Sequence, residues 1–310
     1  MPLKVEKVSK RYDDKWILRD ISFEIGDGEI FGVFGANGVG KSVLLRLIAG
    51  AEKSNGGAIT GSGTVSVFEM PKPSLIGSVL GRSAAADYLE RARRLDSFFT
   101  APDGTLILDE PFDGLDAPVR QKAIANLKIG ASARGLRVII ATHDPDIIFE
   151  ACDRAAILVD KDLIQTGSPR ELYEHPRSVA AAIALGNVNL IEARRVSKSN
   201  SEIPEFHTIE AGHRLFTQKS DIRTLGAINR NVSLAIRPEH VSISFGASFP
   251  EDNLLRATVT EVNYRGATTL VGLDAEGLTL ESRVLRLVGL SVGEECMVGL
   301  PPDRIMVLSS

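Results

Sequence analysis

Residues 35–42 read Gly-Ala-Asn-Gly-Val-Gly-Lys-Ser, the pattern G-x-x-x-x-G-K-[ST]. In such a loop the glycines let successive backbone N–H groups turn inward on the β- and γ-phosphates of a nucleotide. The start of the following helix adds its positive end. Gly35, Asn37, Gly38 and Gly40 are therefore candidate nucleotide-binding residues, Lys41 a neutraliser of phosphate charge and Ser42 a ligand for Mg²⁺. A second element follows 109 − 41 = 68 residues later, Leu106-Ile107-Leu108-Asp109-Glu110. An apolar strand ending in two carboxylates is ordinary by itself. Beside a phosphate loop it places Asp109 near Mg²⁺ and leaves Glu110 to polarise an attacking water, which makes nucleotide hydrolysis the leading chemistry.

These residues need a scaffold that brings strand ends together. The segment 29–35 is followed by a helical stretch over 41–50, 105–110 by a helix over about 117–133, and 137–143 by a helix near 145–152. Such alternation predicts a parallel sheet with crossover helices, an α/β fold. Asp116 stands where it can cap the second of these helices, and Pro118 falls where a missing N–H costs nothing. A strand over 155–160 and two short helices, at 168–174 and about 177–185, complete this half. After residue 185 short β-type segments take over.

The β-rich half repeats. Asn189-Leu190-Ile191 is matched by Asn253-Leu254-Leu255, and 253 − 189 = 64. The run 236–241 is matched by 300–305 at the same ungapped offset, Pro238 aligning with Pro302. Two matches at one offset predict two copies of a small all-β unit, at about 186–246 and 250–310, which bury enough surface only by packing on each other. The predicted organisation is a nucleotide-binding domain over 1–185 and a β-domain over 186–310.

Composition narrows the function. Of 310 residues 44% are hydrophobic and 25% charged, with a formal net charge of −4. This supports a sizeable core and gives no electrostatic footprint for nucleic acid or an anionic membrane surface. The two cysteines, Cys152 and Cys296, lie far apart with no metal-ligand spacing, which suits a reducing compartment. His175, His207, His213 and His240 show no ligand spacing either. No apolar run is long enough to span a bilayer, so the expectation is a cytoplasmic chain that reaches a membrane by docking on something else.

Asp109-Glu110-Pro111-Phe112 followed by Gly114-Leu115-Asp116 resembles the Walker B segment and D-loop of ATP-binding cassette (ABC) ATPases, and Ala141-Thr142-His143-Asp144 resembles their switch histidine. Tyr12 stands where that family stacks an aromatic ring on adenine. Residues 164–176 continue the match, and the runs 235–244 and 253–273 resemble the C-terminal β-domain (TOBE, of an OB-like type) of importer ATPases that carry polyamines, iron(III), sulfate, molybdate or sugars. The resemblance implies an ATP- and Mg²⁺-dependent ATPase subunit. It would work as a homodimer or heterodimer beneath membrane-spanning permease subunits supplied by a solute-binding protein, peripheral on the inner face of the membrane. His143 would contact the γ-phosphate, and Asp116 would communicate across the dimer.

The sequence departs from that family between Lys41 and Asp109. The segment holding the helical subdomain, here about 70–100, is short. The glutamine that would approach the metal corresponds to Glu69, and the signature to Arg82-Ser83-Ala84-Ala85-Ala86, with its serine kept and its glycines replaced by alanine. Alanine methyls obstruct close approach of backbone to phosphate, and a carboxylate at 69 is unfavourable there unless Mg²⁺ intervenes. A helix is expected over 83–99, with Arg91, Arg93 and Arg94 on or beside it forming a solvated face or a contact with a permease loop. Two further readings follow: a regulatory subunit that binds ATP and hydrolyses it poorly without a complete partner, and a β-domain that senses oxyanions.

Overall fold

The computed structural model describes residues 2–69, 104–196, 203–218, 228–245, 252–285 and 289–308. The chain divides into two compact units, residues 1–174 and 175–310.

The first unit is built on a nine-stranded sheet of order β4-β1-β2-β9-β8-β3-β7-β6-β5. The strands are β1 (Leu3–Tyr12), β2 (Lys15–Ile25), β3 (Ile30–Phe34), β4 (Gly56–Thr60), β5 (Val65–Glu69), β6 (Thr105–Asp109), β7 (Arg137–Thr142), β8 (Arg154–Val159) and β9 (Asp162–Gly167). From β8 through β3, β7 and β6 to β5 every pairing is parallel, whereas β4, β1 and β2 pair antiparallel, as do β8 and β9. Every residue of β3 and β7 is buried. A strand covered on both faces needs an uninterrupted apolar run, and Val138-Ile139-Ile140 supplies one.

Helix α1 (Lys41–Ile48) buries Leu44, Leu45, Leu47 and Ile48 in one core with Phe31 and Val33 of β3, Ile107 of β6 and Ile139 of β7. Each such side chain contributes about 1.5–3 kcal/mol of burial, which anchors the helix that carries the phosphate loop. Helix α2 (Ala117–Arg134) begins where the sequence predicts, with proline in its first turn, and ends at Gly135 in the left-handed region (φ 63°). Asp116 occupies the cap position, but its side chain makes no cap hydrogen bond, so the expected side-chain cap is absent and proline geometry sets the start. Helix α3 (Pro145–Ala151) is capped instead by Asp144, whose carboxylate accepts from the Asp146 amide at 2.9 Å. Helix α4 (Pro169–Glu174) closes the unit.

The second unit begins earlier than the sequence suggests, at residue 175 rather than 186. The reason is helix α5 (Val179–Ala184), whose Ala182 packs with Ala235 and Leu308 of the β-domain. The guanidinium of Arg237, fully buried, also donates to the carbonyls of Ala182 (2.9 Å), Gly186 (3.1 Å) and Asn187 (3.1 Å). The first of these belongs to the last turn of α5, where carbonyls lack an intrahelical partner, and the other two to the segment that follows it.

Ten strands form two five-stranded sheets, β12-β11-β10-β13-β19 and β14-β18-β15-β16-β17. The first contains β10 (Asn189–Arg195), β11 (Glu205–Thr208), β12 (Arg214–Phe216) and β13 (Asn231–Ile236), joined by β19 (Met306–Leu308). The second contains β15 (Asn253–Tyr264), β16 (Thr269–Ala275), β17 (Leu278–Val284) and β18 (Glu295–Leu300), joined by β14 (Ser242–Ser244). The 64-residue offset maps β13 onto β18, the 3-10 turn 238–240 onto 302–304, and β14 onto β19. Each repeat thus gives its last strand to the other repeat's sheet. The inner faces form one core, with Ile191, Phe206, Leu234 and Ile236 from one copy and Leu255, Val271, Leu280 and Val298 from the other.

The aligned asparagines join the repeats. Buried Asn189 of β10 donates to the Glu281 carbonyl (2.9 Å) and accepts from the Glu281 amide (2.7 Å) on β17. Buried Asn253 of β15 does the same with Phe216 on β12 (2.9 and 2.6 Å) and also donates to the Leu300 carbonyl (2.8 Å). A side-chain amide can replace a strand's backbone partner in this way because it offers one donor and one acceptor in a plane.

Candidate functional site

Because β3, β7 and β6 are adjacent and parallel, their carboxyl ends lie along one edge, and the residues that follow them meet there. After β3 the chain enters the glycine loop, where the Gly35 amide donates to the Thr142 carbonyl at 3.3 Å. A Cβ on Gly35 would lie 2.6 Å from the Leu158 carbonyl oxygen, and Gly38 (φ 82°) and Gly40 (φ 113°) occupy left-handed backbone. The loop is thus closed by geometry that only glycine satisfies. Asn37 and Gly38 at its tip are exposed, as is Ser42 in the first turn of α1.

Lys41 is buried. Its Nζ donates to the carbonyls of Gly35 (2.7 Å) and Ala36 (3.3 Å) and lies 3.3 Å from Oε1 of Glu110. Glu110 follows β6 directly. Its backbone sits in the left-handed region (φ 46°), its amide donates to the Ala141 carbonyl of β7 at 3.0 Å, and its Oε1 is also 3.1 Å from Nδ1 of His143. The His143 amide donates to Glu110 Oε2 at 3.4 Å. A non-glycine residue at positive φ costs about 1–2 kcal/mol, and here it turns one carboxylate between the lysine of the loop and the histidine of the next strand.

Asp113 joins this group, a residue that the sequence does not single out. Ligand atoms of Glu110, Asp113 and His143 lie within 4.8 Å of one another. Burial, and then the Glu110 carboxylate, push the Asp113 carboxyl above its usual range. The available signal is its position three residues after Glu110 in a turn that the Glu110 conformation closes, the Asp113 amide donating to the Glu110 carbonyl at 3.4 Å.

Asp109 ends β6, half-buried, opposite Ala141 on one side and Glu69 on the other in the strand ladder. Tyr12 ends β1, opposite Lys15 across a tight turn whose Asp13 has φ 51°. It lines an open cavity of about 720 Å³ with Asp13, Trp16, Ile17, Arg19 and Lys161. Asp116 stands exposed before α2. Ser83, the surrounding segment 82–86, the helix expected over 83–99 and its arginines lie outside the described residues.

Fold and site together define a P-loop nucleotide-binding arrangement that resembles the ABC type. Residues 18–79 match the family model described as ABC transporter, and residues 234–308 match the TOBE domain. The chain is 25% identical to the spermidine/putrescine import ATP-binding protein PotA of Oleidesulfovibrio alaskensis, over 86% of this chain and 84% of that one. It is 28% identical to the protein of the same name in Protochlamydia amoebophila (87% and 84% covered). It is also 27% identical to the sulfate/thiosulfate import ATP-binding protein CysA of Synechocystis (76% and 82% covered). The chain is thus similar to importer-type ABC ATP-binding proteins at its nucleotide-binding end and to the TOBE domain at its C-terminal end.

Proposed function

We propose that this chain binds ATP with Mg²⁺ and hydrolyses it, and that closure of an ATP-bound dimer drives solute uptake through membrane-spanning partners. The observation that carries the reading is the bracketing of one Glu110 oxygen by Lys41 Nζ at 3.3 Å and His143 Nδ1 at 3.1 Å beside a loop that only glycine can close. At the exposed tip of that loop nothing lies within 4 Å of where a Cβ on Gly38 would stand, and the exposed Ser42 and the half-buried Asp109 are the hard oxygen donors that Mg²⁺ prefers. Glu69, at the end of the neighbouring strand, is the third candidate for the metal. Mg²⁺ there would offset charge on the β- and γ-phosphates.

In this reading Lys41 and the loop amides hold the phosphates, Tyr12 offers its ring to the adenine, and Glu110 takes a proton from the attacking water. His143 orients Glu110 and contacts the γ-phosphate. Asp116, with Ser83 of the altered signature, would act across a dimer of two such chains or of this chain with a second ATPase. The named relatives import polyamines and sulfate or thiosulfate. Permease subunits and a solute-binding protein are accordingly the proposed partners, with the chain docked on the cytoplasmic side of the membrane. None of its described helices is long and apolar enough to cross one.

Steady-state hydrolysis of Mg²⁺-ATP by the purified chain is the test, beside Lys41→Ala and Glu110→Gln. Turnover that both variants abolish supports the proposal. Binding without turnover in the unsubstituted chain overturns hydrolysis by this chain alone and favours a binding subunit completed by a partner.

A further inference from the structure

Tyr12 lies at the tip of the β1–β2 hairpin, where an exposed side chain ordinarily samples several rotamers. Its hydroxyl is tied down. It donates to Oε2 of Glu52 at 2.6 Å, while Oε1 of the same carboxylate accepts from Nε of Arg46, a residue of α1, also at 2.6 Å. Lys10 Nζ stands 3.3 Å from Glu52 Oε2 and 5.0 Å from the centre of the Tyr12 ring.

The backbone repeats the tie. Lys10 Nζ donates to the Lys53 carbonyl (2.8 Å), the Arg11 amide to Oδ1 of Asn55 (2.9 Å), and the Asn55 amide to the Ser9 carbonyl (2.8 Å). The segment 52–55 in turn hangs from α1, since the amides of Ala51 and Glu52 donate to the Arg46 carbonyl at 3.0 and 3.3 Å. The aromatic platform and the helix that opens from the phosphate loop are thereby held as one rigid piece. Tyr12, Arg46 and Lys10 all converge on the Glu52 carboxylate.

We propose that Glu52 is a positioning residue for the nucleobase, fixing the Tyr12 ring at a set distance from the phosphate loop through Arg46 of α1. This rests on the nucleotide-binding reading above. Both ends of one ligand then meet surfaces already in register, so binding loses little further side-chain entropy at the base end. The Glu52 carboxyl, pulled down to about 2 first by the Tyr12 hydroxyl and then by Arg46, remains a charged acceptor across the physiological range.

The test compares binding of ATP with that of inorganic triphosphate, which lacks a base, by the full chain and its Glu52→Ala, Tyr12→Phe, Tyr12→Ala and Lys41→Ala variants. Glu52→Ala and Tyr12→Phe are each expected to raise Kd for ATP about tenfold. The double variant should do no worse than either, and triphosphate affinity should stay within twofold. In turnover the same two variants raise KM and leave kcat within twofold.

ATP affinity unchanged in Glu52→Ala, with Tyr12→Ala impaired, overturns the positioning role and leaves the nucleotide site standing. Equal losses for ATP and triphosphate in Glu52→Ala mark a merely structural residue and also overturn it. Failure of the nucleotide reading shows separately, as Lys41→Ala binding triphosphate like the unsubstituted chain.

Discussion

Gly40 and Gly38 both have left-handed backbone, but their surroundings differ, and the difference separates two costs. A Cβ on Gly40 would come within 2.9 Å of Leu18 Cδ2 and 3.1 Å of the Ile17 carbonyl oxygen, whereas nothing lies within 4 Å of one on Gly38. Gly38→Ala therefore meets backbone strain alone, about 1–2 kcal/mol, and Gly40→Ala adds collision with a strand that cannot move freely. Denaturant unfolding of the two variants should show Gly40→Ala the less stable by about 1 kcal/mol or more, and nucleotide titration should show it the weaker binder. Equal stabilities would mean that the loop yields. Glu52 supplies a residue-scale prediction in pH. Its folded value of about 2 lies below its ordinary 4.5, so the bonded carboxylate adds stability above about pH 4.5 that is lost as pH falls toward 2. Glu52→Gln should thus lower Tm most above pH 5, with the gap closing on acidification; a gap that stays constant with pH would detach that stability from ionisation.

At the scale of elements, legibility followed burial. β3 and β7 are apolar runs that lead directly into Gly35 and His143, and β6 ends in Asp109, so a reader of the sequence can place both strand and chemistry. β1 and β2 are interrupted by charges and their register shifts at Val5, Val8 and Lys10, which hides the period of two that marks a strand. The pair Tyr12–Glu52 is hidden for the same reason, since 40 residues separate partners that only this hairpin brings together. Asp113 is hidden because its approach to Glu110 depends on one left-handed residue, and the side-chain cap expected of Asp116 fails because proline already sets that helix start. The repeat was legible as an offset, whereas the exchange of β14 and β19 between sheets was not, because an offset carries no pairing. The asparagine clasps that accompany the exchange are testable. Asn253→Ala would leave the part-buried amide and carbonyl of Phe216 and the buried carbonyl of Leu300 without these bonds, a cost of about 2–4 kcal/mol. Asn189→Ala should cost somewhat less, having only the two bonds to Glu281. Urea unfolding of the β-unit in each variant checks both the size and the order.

At the scale of the whole molecule, the division at residue 174 assigns every described residue of the nucleotide site to one unit and both β-repeats to the other. A fragment of residues 1–174 is therefore expected to keep nucleotide binding within severalfold of the full chain, and a fragment 175–310 to fold and melt cooperatively. The stronger claim concerns the half-fragment 175–245. In it β13 would lose β19, β14 would lose β18, and β12 would lose the side chain of Asn253. Its inner face would also be stripped of Leu255, Val271, Leu280 and Val298. An unpaired edge and a half core in so short a chain cannot offset the conformational entropy of folding. Far-UV circular dichroism of this piece should show a disordered chain without a melting transition, while 175–310 gives a sheet spectrum with one. A cooperative transition in 175–245 would mean that each repeat folds by itself and that the exchanged strands only decorate a finished unit; its absence ties the two copies into one obligate fold.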